Sequence, residues 1–259
     1  MKFVTLASSL LLAGSSMAAP GSAMRKARAA QRSSRKSLPP QRLEAALLKL
    51  NNITNVEYDS NWAGSVITTT GVKEVTGTFT VPTPSSEGSG SAWVGIDGDS
   101  CQTAILQTGI DWTNSGGDIT YDAWYEWYPD YAYDFSSSDI SLSAGDSITV
   151  TVKATSETGG TAVIENTTTG ETVKHTFSGE GSEGDLCEYD AEWIIEDFES
   201  GDSLVSFADF GTVEFTGATA TTSSGTVEAG DGSILDIEQS SEILTKCSAS
   251  GTTMTCKYV

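Results

Sequence analysis

One histidine, His175, serves all 259 residues, and from Val56 onward there is no arginine and only five lysines. A single imidazole excludes a zinc site built from several histidines. So few cations exclude phosphate neutralisation along a nucleic acid and attraction to an anionic membrane surface. Familiar hydrolase signatures are missing too: there is no His-Glu-x-x-His, no Gly-x-Ser-x-Gly, and no Asp-Thr-Gly or Asp-Ser-Gly. A Ser-His-Asp triad would have to use His175 in the segment TVKHT, whose alternation predicts an exposed strand histidine.

What is abundant is acid, unevenly placed. The chain carries 14 Lys+Arg against 35 Asp+Glu, formally −21. Residues 20–55 hold eight of the cations (Arg25, Lys26, Arg28, Arg32, Arg35, Lys36, Arg42, Lys49) and one acid, Glu44, a net of +7. The 204 residues from Val56 hold five lysines and 34 acids, a net of −29. Opposite blocks of this size in one chain predict that the first docks on the second.

Three parts follow. Residues 1–19 read as a secretory signal: Lys2, an apolar run from Phe3 to Ala13, and a small-residue cleavage site at Ser16-Met17-Ala18. That run is shorter than the roughly 20 residues a membrane span needs. Residues 20–55 form a basic pro-segment in which, after Pro39-Pro40, Leu43, Ala46, Leu47 and Leu50 recur at helical spacing. Residues 56–259 form one domain, large enough for a sizeable core. The chain is thus expected to be extracellular and monomeric, with its own pro-segment as a partner and neither nucleic acid nor membrane as another.

The domain alternates with period two. Val75, Gly77, Phe79 and Val81 face one way, Ile148, Val150 and Val152 likewise, and Gly/Ser/Asp clusters separate such runs. Many short strands with these turns predict an all-β antiparallel sandwich or barrel. Four cysteines in a secreted chain predict two disulfides. Cys247 and Cys256 bracket Gly251 as the strands of a hairpin would, which leaves Cys101 for Cys187. Asn52-Ile53-Thr54 and Asn166-Thr167-Thr168 are glycosylation sequons.

An individual carboxylate among 34 says little; those in apolar company are the ones an environment tunes for proton transfer. Thr120–Tyr128 places Asp122, Trp124 and Glu126 on one strand face. Ala191–Asp197 places Glu192 and Ile194 on one face and Trp193 and Ile195 on the other. In Trp93–Trp112, Gln107 interrupts an otherwise apolar run, and a buried amide needs partners for two donors and an acceptor.

Together these blocks, SNWAG (60–64), WVGIDGDSCQTAILQTGIDW (93–112), TYDAWYEWYP (120–129) and AEWIIEDFE (191–199), with the C-terminal SGTTMTCKYV (250–259), resemble the glutamic peptidases, or eqolisins, secreted acid proteases of fungi. The resemblance implies a lectin-like (concanavalin A-like) sandwich of two large curved sheets. It also implies acid endopeptidase activity on protein and peptide substrates, insensitivity to pepstatin, and neither cofactor nor metal. It carries a catalytic dyad onto Gln107 and Glu192, and cleft-lining roles onto Trp62, Trp93, Asp122, Trp124 and Glu126. Ala63, where some relatives have glycine, is expected to narrow the cleft. The bare pattern also fits a glycoside hydrolase with Glu126 and Glu192 as acid and nucleophile, for which Gln107 should lie remote from both. A carbohydrate-binding module using the aromatic face alone needs no pro-segment, so the basic leader argues against it.

Overall fold

A computed structural model describes residues 35–43 and 56–259. Nineteen strands and two short 3₁₀ turns make up its regular structure. In chain order the strands are β1 (Arg35–Lys36), β2 (Val56–Asp59), β3 (Trp62–Thr68), β4 (Val72–Thr80), β5 (Gly88–Ile96), β6 (Ile105–Ser115), β7 (Asp118–Tyr128), β8 (Tyr133–Asp134), β9 (Ser147–Ser156) and β10 (Gly159–Asn166). There follow β11 (Glu171–Ser178), β12 (Asp190–Glu196), β13 (Glu199–Ser200), β14 (Thr212–Thr222), β15 (Gly225–Glu228), β16 (Ser233–Gln239), β17 (Glu242–Ile243), β18 (Thr245–Ser250) and β19 (Thr253–Tyr258).

Two sheets stack into a sandwich. One runs β11-β10-β9-β4-β14-β19-β18, with β15 beside β14; the other runs β17-β16-β3-β12-β5-β6-β7-β8, with β2 beside β16. All pairings are antiparallel except β2 with β16. The expected alternation holds: Val75, Gly77 and Phe79 of β4 and Ile148, Val150 and Val152 of β9 are buried between the sheets. The threonines between them stay near solvent, where Thr76 meets Thr151 and Thr78 meets Thr149, hydroxyl to hydroxyl at 2.7 Å. The indole of Trp193 donates to the Thr76 carbonyl at 2.8 Å and ties the sheets across the core.

Central strands β5 and β12 are buried on both faces. Ala191, Trp193 and Ile195 face the inter-sheet core, while Ile194 joins Trp62, Val66, Trp93, Ile105 and Trp124 in a second apolar cluster on the far side of the sheet. Period two therefore sends Glu192 and Glu196 to that far side as well.

Both predicted disulfides form, Cys101–Cys187 and Cys247–Cys256. The first is reinforced by carboxylates. Asp97, at φ 67°, accepts from the backbone N–H groups of Cys187, Glu188, Tyr189 and Asp190, and Asp190 accepts from Ser100 and Cys101. The loop joining β5 to β6 is thereby lashed to the segment that enters β12.

Several expectations fail. His175 is half-buried, its ring stacked on Tyr125 at 3.9 Å, because the inward positions of β11 are Val173, His175 and Phe177. Asn166 is fully buried; its amide nitrogen donates to the Ser141 carbonyl and to Asp146, so the folded chain offers no access for a glycan there, against the sequon. Ala63 packs in the inter-sheet core, so it cannot narrow a cleft on the other face. Of the helix expected after Pro40, residues 41–43 are extended, Arg42 forming an antiparallel bridge with Asp59. The rest of that helix, the leader over residues 1–19 and Asn52 lie outside the described residues.

Candidate active site

Strand register assembles the site. Across β3, β12, β5, β6 and β7, Val66 lies opposite Glu192, Glu192 opposite Gly95, Gly95 opposite Gln107 and Gln107 opposite Glu126. With strands about 4.8 Å apart, the backbones at Glu192 and Gln107 stand roughly 10 Å from one another. Only Gly95 comes between them, and its lack of a side chain keeps that gap open. A β carbon there would lie 2.8 Å from Glu192 Oε2 and 2.7 Å from the Trp93 ring.

Glu192 and Gln107 are both completely buried, yet neither oxygen of the carboxyl and neither polar atom of the amide has a hydrogen-bond partner among the described residues. Buried polar atoms are almost always satisfied, so four orphans on two facing side chains mark a place built for a small polar partner. Burial pushes Glu192 well above the usual carboxylate range, aided by the charges of Asp190, Asp97 and Asp99; the Asp99 backbone N–H, which stops short of hydrogen-bond geometry, is the smallest influence and acts the other way.

Tryptophans wall the row. Trp62 and Trp93 meet edge to face with centroids 4.9 Å apart, and Trp124 lies on the same face. Asp122 is half-exposed one turn of the pleat beyond Trp124, across from Asp111 of β6.

A strap of the basic segment, residues 35–43, crosses this face. Arg35, 3% exposed, pairs with Asp111 at 2.7 Å and Glu126 at 3.1 Å, and its guanidinium lies 3.7 Å over the Trp124 ring and 4.8 Å from the Phe198 ring. The Ser37 hydroxyl donates to Glu196 at 2.8 Å, as does the Trp93 indole at 2.9 Å, and the Leu38 backbone N–H donates to the other Glu196 oxygen at 3.2 Å. The Asn61 amide donates to the Leu38 carbonyl, and Arg42 ends the crossing in ion pairs with Glu57 and Asp99. No hydrogen bond between the strap and Gln107 or Glu192 is formed.

Three acids thus share one cation. Burial raises Asp111 and Glu196 to about 7 and Glu126 to about 8, with the Arg35 charge opposing each rise. Burial alone would depress the guanidinium, but Asp111, Glu126 and Glu196 together hold it above its ordinary value.

The sequence reading brought Trp62, Trp93, Gln107, Asp122, Trp124, Glu126 and Glu192 to one face, and the structure gathers all seven there. It missed Asp111 and Glu196. Both were findable: each lies four residues beyond a named residue on the same strand, Gln107 and Glu192, and so on the same face. Gln107 stands between Glu126 and Glu192 rather than remote from them, so the glycoside hydrolase pairing is not favoured.

The fold is an all-β sandwich with an amide and an acid buried on one face, one strand apart, under aromatic walls. Comparison with known proteins agrees. The model of the Peptidase A4 family matches residues 60–258. Aspergillopepsin-2 of Aspergillus niger is 52% identical over 285 residues, and Scytalidopepsin B of Scytalidium lignicola 45% over 270, each alignment spanning both chains in full. The crystal structure of scytalido-glutamic peptidase with a transition state analog inhibitor superposes with a TM-score of 0.73 at 48% identity, covering 77% of this chain and 98% of that one. The chain belongs to the Peptidase A4 family, and it is a glutamic endopeptidase.

Proposed function

We propose that this is a secreted acid endopeptidase in which Glu192 and Gln107 perform the chemistry and residues 20–55 keep it latent. The observation that carries this reading is the pair of orphaned, facing groups: one acid, one amide, with Gly95 leaving the space between them clear. Ionised Glu192 takes a proton from a water held between the two side chains, and that water's oxygen attacks the peptide carbonyl carbon. Gln107 donates its amide N–H to the oxyanion that forms; one such donor is worth about 2.7–4 kcal/mol. Glu192 then returns the proton to the leaving amine nitrogen as the C–N bond breaks. No covalent intermediate is involved.

The strap explains latency. It covers the face a substrate would use, holding Asp111 and Glu126 through Arg35 and Glu196 through Ser37 and Leu38. Acid protonates Asp111, Glu126 and Glu196 and leaves Arg35 without counter-charges, so the strap loosens. Cleavage within residues 44–55 then frees a body beginning near Val56. The leader over residues 1–19 accounts for export, and Asn52 remains a candidate glycan site.

Digestion of a denatured protein at acid pH by the wild type, Gln107→Ala and Glu192→Gln tests the assignment. Both variants are expected to lose at least about a hundredfold in kcat/KM. Wild-type rates in either would remove the dyad.

A further inference from the structure

A second site lies away from this face, where edge strand β11 of one sheet approaches β7 and its edge neighbour β8 of the other. Tyr125, Trp127, Tyr133 and Phe177 wall a cavity of about 300 Å³, and Asp130 and Glu180 stand at its rim. The size is that of a small-ligand pocket. Tyr125 and Trp127 point here because they alternate with Glu126, whose side chain goes to the opposite face.

Its chemistry is one-sided. The Tyr133 hydroxyl donates to Asp130 Oδ2 at 2.9 Å and the Trp127 indole to the Gly184 carbonyl at 3.1 Å, which commits these two of the lining donors. One face of Tyr125 is covered by His175 and the Tyr133 ring is half-exposed, while Asp130 and Glu180, which also accept from the Tyr131 and Ser178 N–H groups, keep further lone pairs. No lysine or arginine lines the cavity, and His175, stacked on Tyr125, is held below its ordinary value by burial, with Glu180 pulling the other way. Tyr133 is half-exposed, as is neighbouring Tyr131, so the mouth is open. Aromatic faces beside carboxylates attract organic cations, whereas a sugar needs donors as well as acceptors.

We propose that this cavity binds an organic ammonium group, such as a quaternary amine or the head of a lysine side chain, independently of the catalytic face. The cation sits against Tyr125 and Tyr133 with Asp130 and Glu180 neutralising its charge. The proposal does not depend on the peptidase reading, since no residue of the site is shared with it.

His175 is the sole histidine, so its ring resonances report on this cavity without ambiguity. Full-length protein is titrated at neutral pH with choline, with its neutral isostere 3,3-dimethylbutanol and with methyl glucoside, while the His175 ring proton shifts are followed. Choline is expected to give a saturable shift in the millimolar range that neither neutral compound gives. Tyr133→Ala and Glu180→Gln, both at solvent-accessible positions, should each weaken it by about fivefold or more. Equal shifts from choline and its isostere would make the cavity merely apolar, and a response to the glucoside alone would make it a sugar site. No saturable response to choline, or one unchanged in both variants, also overturns the proposal.

Discussion

Substituting Gly95 by alanine tests the core of the catalytic reading without touching either proposed catalytic residue. The added methyl would lie 2.8 Å from Glu192 Oε2 and 2.7 Å from the Trp93 ring. Ordinary contact requires about 3.4 Å or more, so something must move by at least roughly half an ångström. Trp93 has little freedom: its indole donates to Glu196 at 2.9 Å and its ring is wedged against Trp62 at 4.9 Å. The carboxyl of Glu192, which has no hydrogen-bond partner to hold it, yields on its side, and the backbone of β5 must shift to relieve the Trp93 contact. Overpacking of this kind costs about 1–3 kcal/mol, a drop in Tm of about 2–4 °C per kcal/mol in a domain of this size. A reacting group displaced by about 1 Å loses on the order of a hundredfold in rate. Calorimetry and kcat/KM on a peptide substrate at acid pH are the paired assays. A variant that folds, with the modest loss in Tm, and turns over at the wild-type rate would refute the placement of the reaction between Glu192 and Gln107.

Further predictions concern charge and burial. Arg35→Met removes the one cation shared by Asp111 and Glu126; breaking a buried pair costs about 3–5 kcal/mol, so the strap should open to proteolysis at neutral pH, while in acid, where the carboxyls are already neutral, variant and wild type should converge. Equal protease resistance at neutral pH would count against electrostatic docking. Away from the strap, burial holds Asp197 and Asp236 at about 7, so both keep protons that the unfolded chain would release near 4. Their contribution to stability is therefore complete below about pH 4 and is lost as pH rises through 7. Tm of the full chain should fall between pH 5 and 8, and a rise would contradict the burial of these acids. Asn166→Gln should cost about 1–3 kcal/mol through lost bonds to Ser141 and Asp146, and mass spectrometry of the wild type expressed in a glycosylating host should find residue 166 without a glycan.

Much of this architecture could be read from residue order because β-structure writes its faces into the chain with period two. Asp122, Trp124 and Glu126 share a face for that reason alone, as do Glu192 and Ile194. The same rule, run one step further, would have reached Asp111 and Glu196. Which strands adjoin is another matter: the row from Val66 through Glu192, Gly95 and Gln107 to Glu126 depends on long-range pairing that no local pattern encodes, and here the family resemblance supplied what periodicity could not. His175 misled because an edge strand with Lys174 and Thr176 outward looks the same whether its other face meets water or Tyr125. Asn166 misled because a sequon specifies three residues and nothing of their burial.

Setting the two groups on strands of one sheet, with a single strand between, has a mechanical corollary. Interstrand spacing is among the least variable lengths in proteins, fixed by the backbone ladder rather than by side-chain packing or loop conformation. On the proposed mechanism, the gap that the attacking oxygen must fit is a span of two rungs, pinned at one end by the Cys101–Cys187 bridge and the Asp97 and Asp190 lashings. Loops around the rim can vary to accept different polypeptides while that span keeps its gauge.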